Sequence, residues 1–451
     1  MKKRVLLISY YFAPQNTIGA IRPTKMAKYL ERMGYEVTVI CGGGLDEKVD
    51  PTLKRDLEQL KDVHLIKEWN PLRERAIKKA EARKAEAAKE PKAVPVEAEA
   101  PNHPSAGGLV TKLKQLLGKA IDNVYLYLMW LSDRDFCRRA KQEVKKLDQT
   151  YDCVLSSYST ISTHEIGYYA KKTGKAKKWI ADFRDEVNMA FSWQMGRQRR
   201  YIRMVRDNAD LLTAVSYGVL DMMDMEKEGR VLTNGFDRED LPVAEVAEQQ
   251  NDKLRVVYCG YISEGRKNAP HRDLSPMMQT LRSLIDEGHL AKDELELVYA
   301  GSQSQLFDQV AAASGLEACV ENHGMVSRQE SIRLQLGADI LLMASWHMTG
   351  RKGILTGKLF EYMMMNKPVV CCMSGDLTGS DVKGVLETTG IGFCYEQAGG
   401  QADWDALKVF VRDVIERKHN GQPLMDSGRM EAINAYSYPD LAARMASWID
   451  E

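Results

Sequence analysis

The 451-residue chain has no long apolar run and no surplus of charge of either sign. No stretch approaches the roughly 18 to 20 apolar residues that a membrane-spanning helix needs, which argues against an integral helical membrane protein. Lys plus Arg and Asp plus Glu number 63 each, so the whole chain carries no nucleic-acid footprint and any anion site must be local. The eight cysteines are scattered without metal-ligand spacing, and no His/Cys/carboxylate cluster reads as a metal site. Cys371 and Cys372 adjoin in an apolar, strand-like run, which suits reduced core thiols better than a disulfide frame. The opening MKKRVLLISYYFAP has an apolar run of only about five residues, shorter than the roughly 7 to 15 of a secretory signal, and no small-residue cleavage site follows. These absences point to a cytoplasmic protein, either free or held peripherally on the cytoplasmic face of a membrane.

Apolar residues make up 44% of the chain, enough for sizeable cores, and the length suits two α/β domains with an insertion. Arg4–Ser9 reads as a strand, Arg22–Met33 as a helix ended by Gly34, and Glu36–Cys41 as the next strand. This βαβ unit implies a parallel sheet. The alternation breaks at 73–108, where an Ala/Lys/Glu-rich half runs into a Pro/Gly-rich half that cannot bury enough surface to offset its ordering. The stretch 109–131 then reads as an amphipathic helix. Lys112, Lys114 and Lys119 flank its leucines and Tyr125, Tyr127 and Trp130 close it, so it suits either an anionic membrane surface or the core of the first domain.

Strands resume at Cys153–Ser157, Trp179–Asp182, Leu211–Val215 and Arg230–Thr233. After the polar stretch Glu245–Lys253 come Leu254–Cys259, Leu295–Ala300, Cys319–Asn322, Ile340–Ala344 and Pro368–Cys372. The expected architecture is α/β: two doubly wound Rossmann-like domains, 1–244 and 245–435, facing across a cleft. Ligands on such sheets bind outside the carboxyl ends of the strands.

The strongest local signal is Gly350–Pro368, GRKGILTGKLFEYMMMNKP. Gly353, Thr356 and Gly357 lead straight into a helix, so a ligand can approach the backbone and free amides favour phosphate. Lys358 and Glu361 are three apart and share one helix face, where the cation can meet a diphosphate and the carboxylate can accept hydrogen bonds from sugar hydroxyls. A triphosphatase P-loop is set aside, since the loop is one residue short and Leu359 stands where a magnesium-binding Ser or Thr belongs. Adjacent Arg266 and Lys267, after the second domain's first strand, suit a pyrophosphate, with Arg272 an alternative. Asp182, Arg184 and Asp185 follow a strand and read either as an acceptor- or sugar-orienting group or as a structural Arg–Asp pair. His164, at a helix start after a strand, reads more readily as a surface histidine than as an active-site one, and Asp133-Arg134-Asp135 as a chance match to a metal-binding Asp-x-Asp.

KLFEYMMMNKPVV resembles the donor-binding helix of retaining GT-B glycosyltransferases of the glycosyltransferase family 4-like type, which includes capsule and O-antigen assembly enzymes. The resemblance covers the chain apart from 73–108. It implies that Glu361 binds the nucleotide ribose and that the family's first glutamate is replaced by Gly353, a departure common among Lys-x-x-Glu-Tyr members. SYYFAPQNTIGAIRP resembles the family's first strand and its phosphate-facing glycine loop at Gly19. WIADFRDEV resembles the Asp-x-Arg-Asp segment with Arg184 and Asp185, and LTNGFDRED the signature closing the first domain. YCGYISEGRKN resembles the loop whose Arg and Lys neutralise the donor diphosphate. GMVSRQE resembles the loop that reads the nucleobase through its backbone, with Gly324 and Val326. The family implies a retaining hexosyltransferase that uses a nucleoside diphosphate sugar, no other cofactor and no metal. Its acceptor is a glycan or lipid-linked glycan in surface polysaccharide biosynthesis, and residues 436–451 return to the first domain.

Overall fold

The computed structural model describes residues 2–43, 49–67, 107–187, 195–225, 229–241, 252–263, 271–349, 355–425 and 429–451, with backbone alone at 107–126. The chain divides into two compact units, Met1–Leu212 and Thr213–Glu451. Arg266, Lys267 and Gly353 lie outside the described residues, as does the 73–108 insertion apart from its last two positions.

The strands in chain order are β1 (Arg4–Ser9), β2 (Glu36–Gly43), β3 (Asp62–Lys67), β4 (Tyr151–Ser157), β5 (Ala176–Phe183), β6 (Leu211–Ala214) and β7 (Gly229–Val231). They continue with β8 (Leu254–Cys259), β9 (Leu295–Ala300), β10 (Val320–Gly324), β11 (Ile340–Trp346), β12 (Val369–Ser374) and β13 (Gly392–Glu396). One sheet has the order β3-β2-β1-β4-β5-β6-β7 and the other β10-β9-β8-β11-β12-β13. Both orders are those of the Rossmann fold, with a switch point where the order reverses, at β1/β4 and at β8/β11.

The second sheet is parallel throughout. Its central strands read as continuous apolar runs because helices cover both faces. All six residues of β12, VVCCMS, are buried, and with Leu254, Val257, Leu297 and Leu341 they build the core. All eight cysteines are free and buried, in accord with the sequence. No described helix is long and apolar enough to cross a membrane.

Strand positions agree with the sequence to within a few residues, and the first helix starts earlier than expected, at Ile18. That helix therefore contains Pro23, which cannot donate to the carbonyl of Gly19 four residues back. The Arg184 guanidinium hydrogen-bonds that carbonyl instead. The expected amphipathic helix at 109–131 is the first half of a longer one, Gly107–Lys146. At the other end of the chain, the helix Tyr438–Asp450 is capped by Ser437 and seats Leu441 against Gly235, where a Cβ would fall 2.4 Å from a Leu441 methyl.

Candidate functional site

The second sheet's switch point lies between the carboxyl ends of β8 and β11, and the chemistry gathers there. β8 ends at Cys259 and the chain turns through Gly260. A Cβ on Gly260 would sit 1.9 Å from Lys358 Nζ, so the glycine makes room for the lysine. Lys358 comes from the start of the helix Gly357–Met365, and its ammonium stands 4.7 Å from the centre of the Tyr258 ring. Among the described residues no carboxylate pairs with it. Burial brings its pKa down from 10.5 to about 8, and the nearby Arg272 charge adds to the effect. It remains mostly a cation at neutral pH, one that an incoming anion would stabilise.

Arg272 is the second cation. Its guanidinium lies 4.9 Å from the ring centre of Trp346, the last residue of β11, and 5.8 Å from that of Tyr261. Its backbone amide donates to the Ser263 carbonyl, which returns the chain to the strand end. Of the three cations that the sequence left open, Arg272 is the one described, and it lies at the switch point.

The helix Gly357–Met365 opens with Thr356 as N-cap, and that side chain makes no capping hydrogen bond. A Cβ on Gly357 would meet nothing within 4 Å, so there is room for a ligand beside the first residue of the helix, while the Leu359 amide donates to the Thr356 carbonyl at 3.2 Å. Uncapped amides at a helix N-terminus carry partial positive charge and are suited to phosphate. One turn on, Glu361 Oε1 accepts from Gln335 Nε2 at 2.7 Å, and the same nitrogen lies 2.9 Å from Ser331 Oγ. Gln335 is buried, so Glu361 is held in place rather than left to rotate in solvent.

The strand ends are tied together. Tyr258 Oη donates to the Tyr261 carbonyl at 2.7 Å, and Tyr299 Oη to the Gly260 carbonyl at 2.9 Å. The Tyr258 and Tyr299 rings stack at 6.1 Å and 7°, and Phe307 extends the stack. Gly324, with φ +61°, closes β10, and its carbonyl accepts from Gly301 N at 2.8 Å. Val326 is partly buried against the core, beside the exposed Met325. His347, just past β11, is buried with its Nδ1 unpartnered among the described residues. His347 and Trp346 carry no signal in the sequence beyond their position at a strand end. A larger cavity of about 640 Å³, lined by Asp252, Ala338, Asp339 and Pro368, lies at the amino ends of β8, β11 and β12. That is the edge of a doubly wound sheet where ligands do not bind.

In the first unit the structure brings Gly19 and Arg184 together. Arg184 is buried, donating from Nε to the Tyr158 carbonyl at 2.7 Å and from Nη1 to Gly19. Asp182 is held by Arg22 through two bonds of 3.0 and 2.6 Å, both side chains being buried, while Asp185 is exposed. His164 is fully buried, contrary to its reading as a surface histidine, because its helix packs that face on β4 and β5. Burial drives its pKa down to about 3. Trp179 Nε1 donates to Ser156 Oγ at 2.7 Å, and the hydroxyl lies 2.8 Å from His164 Nδ1.

No family model and no curated protein matches the chain. Solved structures match it over its whole length. The N-terminal domain of trehalose-6-phosphate phosphatase from Candida albicans superposes with a TM-score of 0.58 at 12% identity, covering 100% of this chain and 97% of that one. Sucrose-phosphate synthase from Thermosynechococcus elongatus gives 0.54 at 14%, covering 100% and 98%. AviGT4, a glycosyltransferase involved in avilamycin A biosynthesis, gives 0.51 at 13%, covering 99% and 97%. At such identities the likeness establishes the fold. Two Rossmann-like parallel sheets with interleaved helices make this a GT-B architecture.

Proposed function

We propose that the protein is a retaining glycosyltransferase that moves a hexose from a nucleoside diphosphate sugar to a hydroxyl of a glycan or lipid-linked glycan, in the assembly of a surface polysaccharide. The observation that carries this is the convergence of Lys358, Arg272 and the uncapped amides at Gly357 on one switch point, with Glu361 one helical turn away. Two cations and a helix N-terminus match a diphosphate, and a fixed carboxylate at that reach matches a ribose diol. The backbone at Gly324 and Val326 borders the base, and Arg266 and Lys267 add further charge to the diphosphate.

In the reaction the acceptor hydroxyl oxygen bonds to the sugar's anomeric carbon on the face from which the diphosphate departs. The bond from that carbon to the diphosphate oxygen breaks, and the leaving phosphate takes the hydroxyl proton. Negative charge builds on the departing diphosphate, where Lys358, Arg272 and the helix amides stabilise it most. Arg184 and Asp185 act on the acceptor side. Residues 109–131, with their lysines and aromatic tail, bring the protein to an anionic membrane surface on the cytoplasmic side.

Glu361→Ala should weaken nucleoside diphosphate binding about tenfold, the weight of a hydrogen bond to a charged group. The loss should appear as a smaller ligand-induced thermal shift across a panel of UDP-, GDP- and ADP-sugars. Transferase activity unchanged by this substitution would remove the proposed donor site. A nucleotide-sugar epimerase of the same fold would convert donor without acceptor, so a donor-only incubation separates the two activities.

A further inference from the structure

Three helices of the first unit converge on a cavity of about 300 Å³ that the donor site does not use. Trp130 and Arg134 come from Gly107–Lys146, Ile161 and Glu165 from Ile161–Lys172, and Arg197, Arg200, Tyr201 and Met204 from Met195–Asn208. The spacings are i, i+4 on the first two helices and i, i+3, i+4, i+7 on the third, so each helix turns one face to the same space. Three arginines stand against one glutamate. Arg134 is committed, lying 2.7 Å from both Asp133 and Glu165. Arg197 is exposed, its guanidinium 5.8 Å from the Trp130 ring centre, and no carboxylate pairs with it among the described residues.

Tyr201 is the telling residue. It is only 6% exposed, yet its hydroxyl has no hydrogen-bond partner among the described residues. Its ring lies 6.3 Å from that of the buried His164, nearly parallel at 15°, which fixes its orientation. Burial raises the phenol's pKa well above 10, so it stays a neutral donor. A buried donor left unmatched is costly unless a ligand or water completes it.

We propose that this cavity is a subsite for an acidic sugar residue, a pyranose bearing a carboxylate or phosphate, in the acceptor. Trp130, Ile161 and Met204 face the carbon-rich side of the ring, Arg197 takes the anion, and Tyr201 hydrogen-bonds a ring hydroxyl. The inference rests on the transferase reading for its biological role, and its test does not depend on the donor.

The full-length protein is titrated calorimetrically, without donor, with glucuronate, glucose 1-phosphate, glucose and inorganic phosphate. UDP is titrated separately. At least one acidic sugar should bind at least tenfold more tightly than glucose or inorganic phosphate, and whichever of the two prevails identifies the anion. Arg197→Ala should weaken that binding about tenfold, one charged hydrogen bond. Tyr201→Phe should weaken it severalfold while leaving the melting temperature unchanged or higher, because the hydroxyl it removes is unpartnered in the free protein. A purely packing role for Tyr201 would leave sugar binding untouched. Equal binding of acidic sugar, glucose and phosphate, or binding insensitive to both substitutions, overturns the proposal. Failure to bind UDP would instead count against the donor site.

Discussion

Replacing Lys358 by methionine should move stability and ligand affinity in opposite directions. The lysine's pKa of about 8, against 10.5 ordinarily, corresponds to about 3 kcal/mol against the charged form. The side chain is partly exposed, which discounts that figure. The contact with Tyr258 returns about 0.5–1 kcal/mol that the variant forfeits. A net gain of about 1 kcal/mol at pH 7 is therefore expected, a rise of about 2–4 °C in the melting temperature of a unit of this size. Affinity for UDP or another nucleoside diphosphate should meanwhile fall about 10- to 100-fold, since hydrogen bonds to charged groups contribute about 1.5–3 kcal/mol. The pH profile adds a second signature. The folded pKa lies below the unfolded one, so between about pH 8 and 10.5 the unfolded chain holds the extra proton. The wild type should gain stability as pH rises through that window, and the variant should not. Thermal melts from pH 7 to 10, with and without UDP, read all three effects. A less stable variant with undiminished nucleotide affinity would refute the reasoning and make Lys358 a structural residue.

Two further predictions concern the first unit. Asp182→Ala removes the carboxylate that pairs with the buried Arg22 guanidinium and should cost about 3–5 kcal/mol by urea denaturation, whereas Arg22→Met combined with Asp182→Leu should recover most of it; a loss below about 1 kcal/mol would mean that the pair matters little. His164, with its pKa pushed down to about 3 from 6.5, is protonated first in the unfolded chain as pH falls. About 2 kcal/mol of stability should therefore be lost between pH 6.5 and 5, and His164→Phe should flatten that decline; an equally acid-sensitive variant would contradict it.

The sequence made the strands of both sheet centres legible because they are buried on both faces and apolar throughout. It did not reveal β3 or β13, which lie at sheet edges. In β3, DVHLIK, Ile66 alone is buried, so the run carries little hydrophobic signal. The loop and helix around Gly357, Lys358 and Glu361 were readable as local spacing. The contact of Lys358 with the Tyr258 ring, its closeness to Gly260 and the stacking of Arg272 on Trp346 were not, since they arise from contacts between residues about 70 to 100 positions apart. His164 was misjudged because nothing in SYSTISTHEIG announces which face of its helix meets the sheet. The three-helix cavity was half visible: five arginines within MGRQRRYIRMVRDN mark a basic helix, but only folding brings Trp130 and Glu165 to it.

The row of rings beneath Gly260 bears on how such a site can change over time. Tyr258, Tyr299 and Phe307 touch no ligand in the proposed arrangement, yet two of their hydroxyls hold the carbonyls of Gly260 and Tyr261. A single exchange of Tyr for Phe there would keep the stack and release one tether, loosening the turn on which the ligand rests. Selection could thus retune affinity and turnover from behind the surface in small steps, leaving every contacting residue as it is. The position of these phenols makes the site evolvable without first being broken.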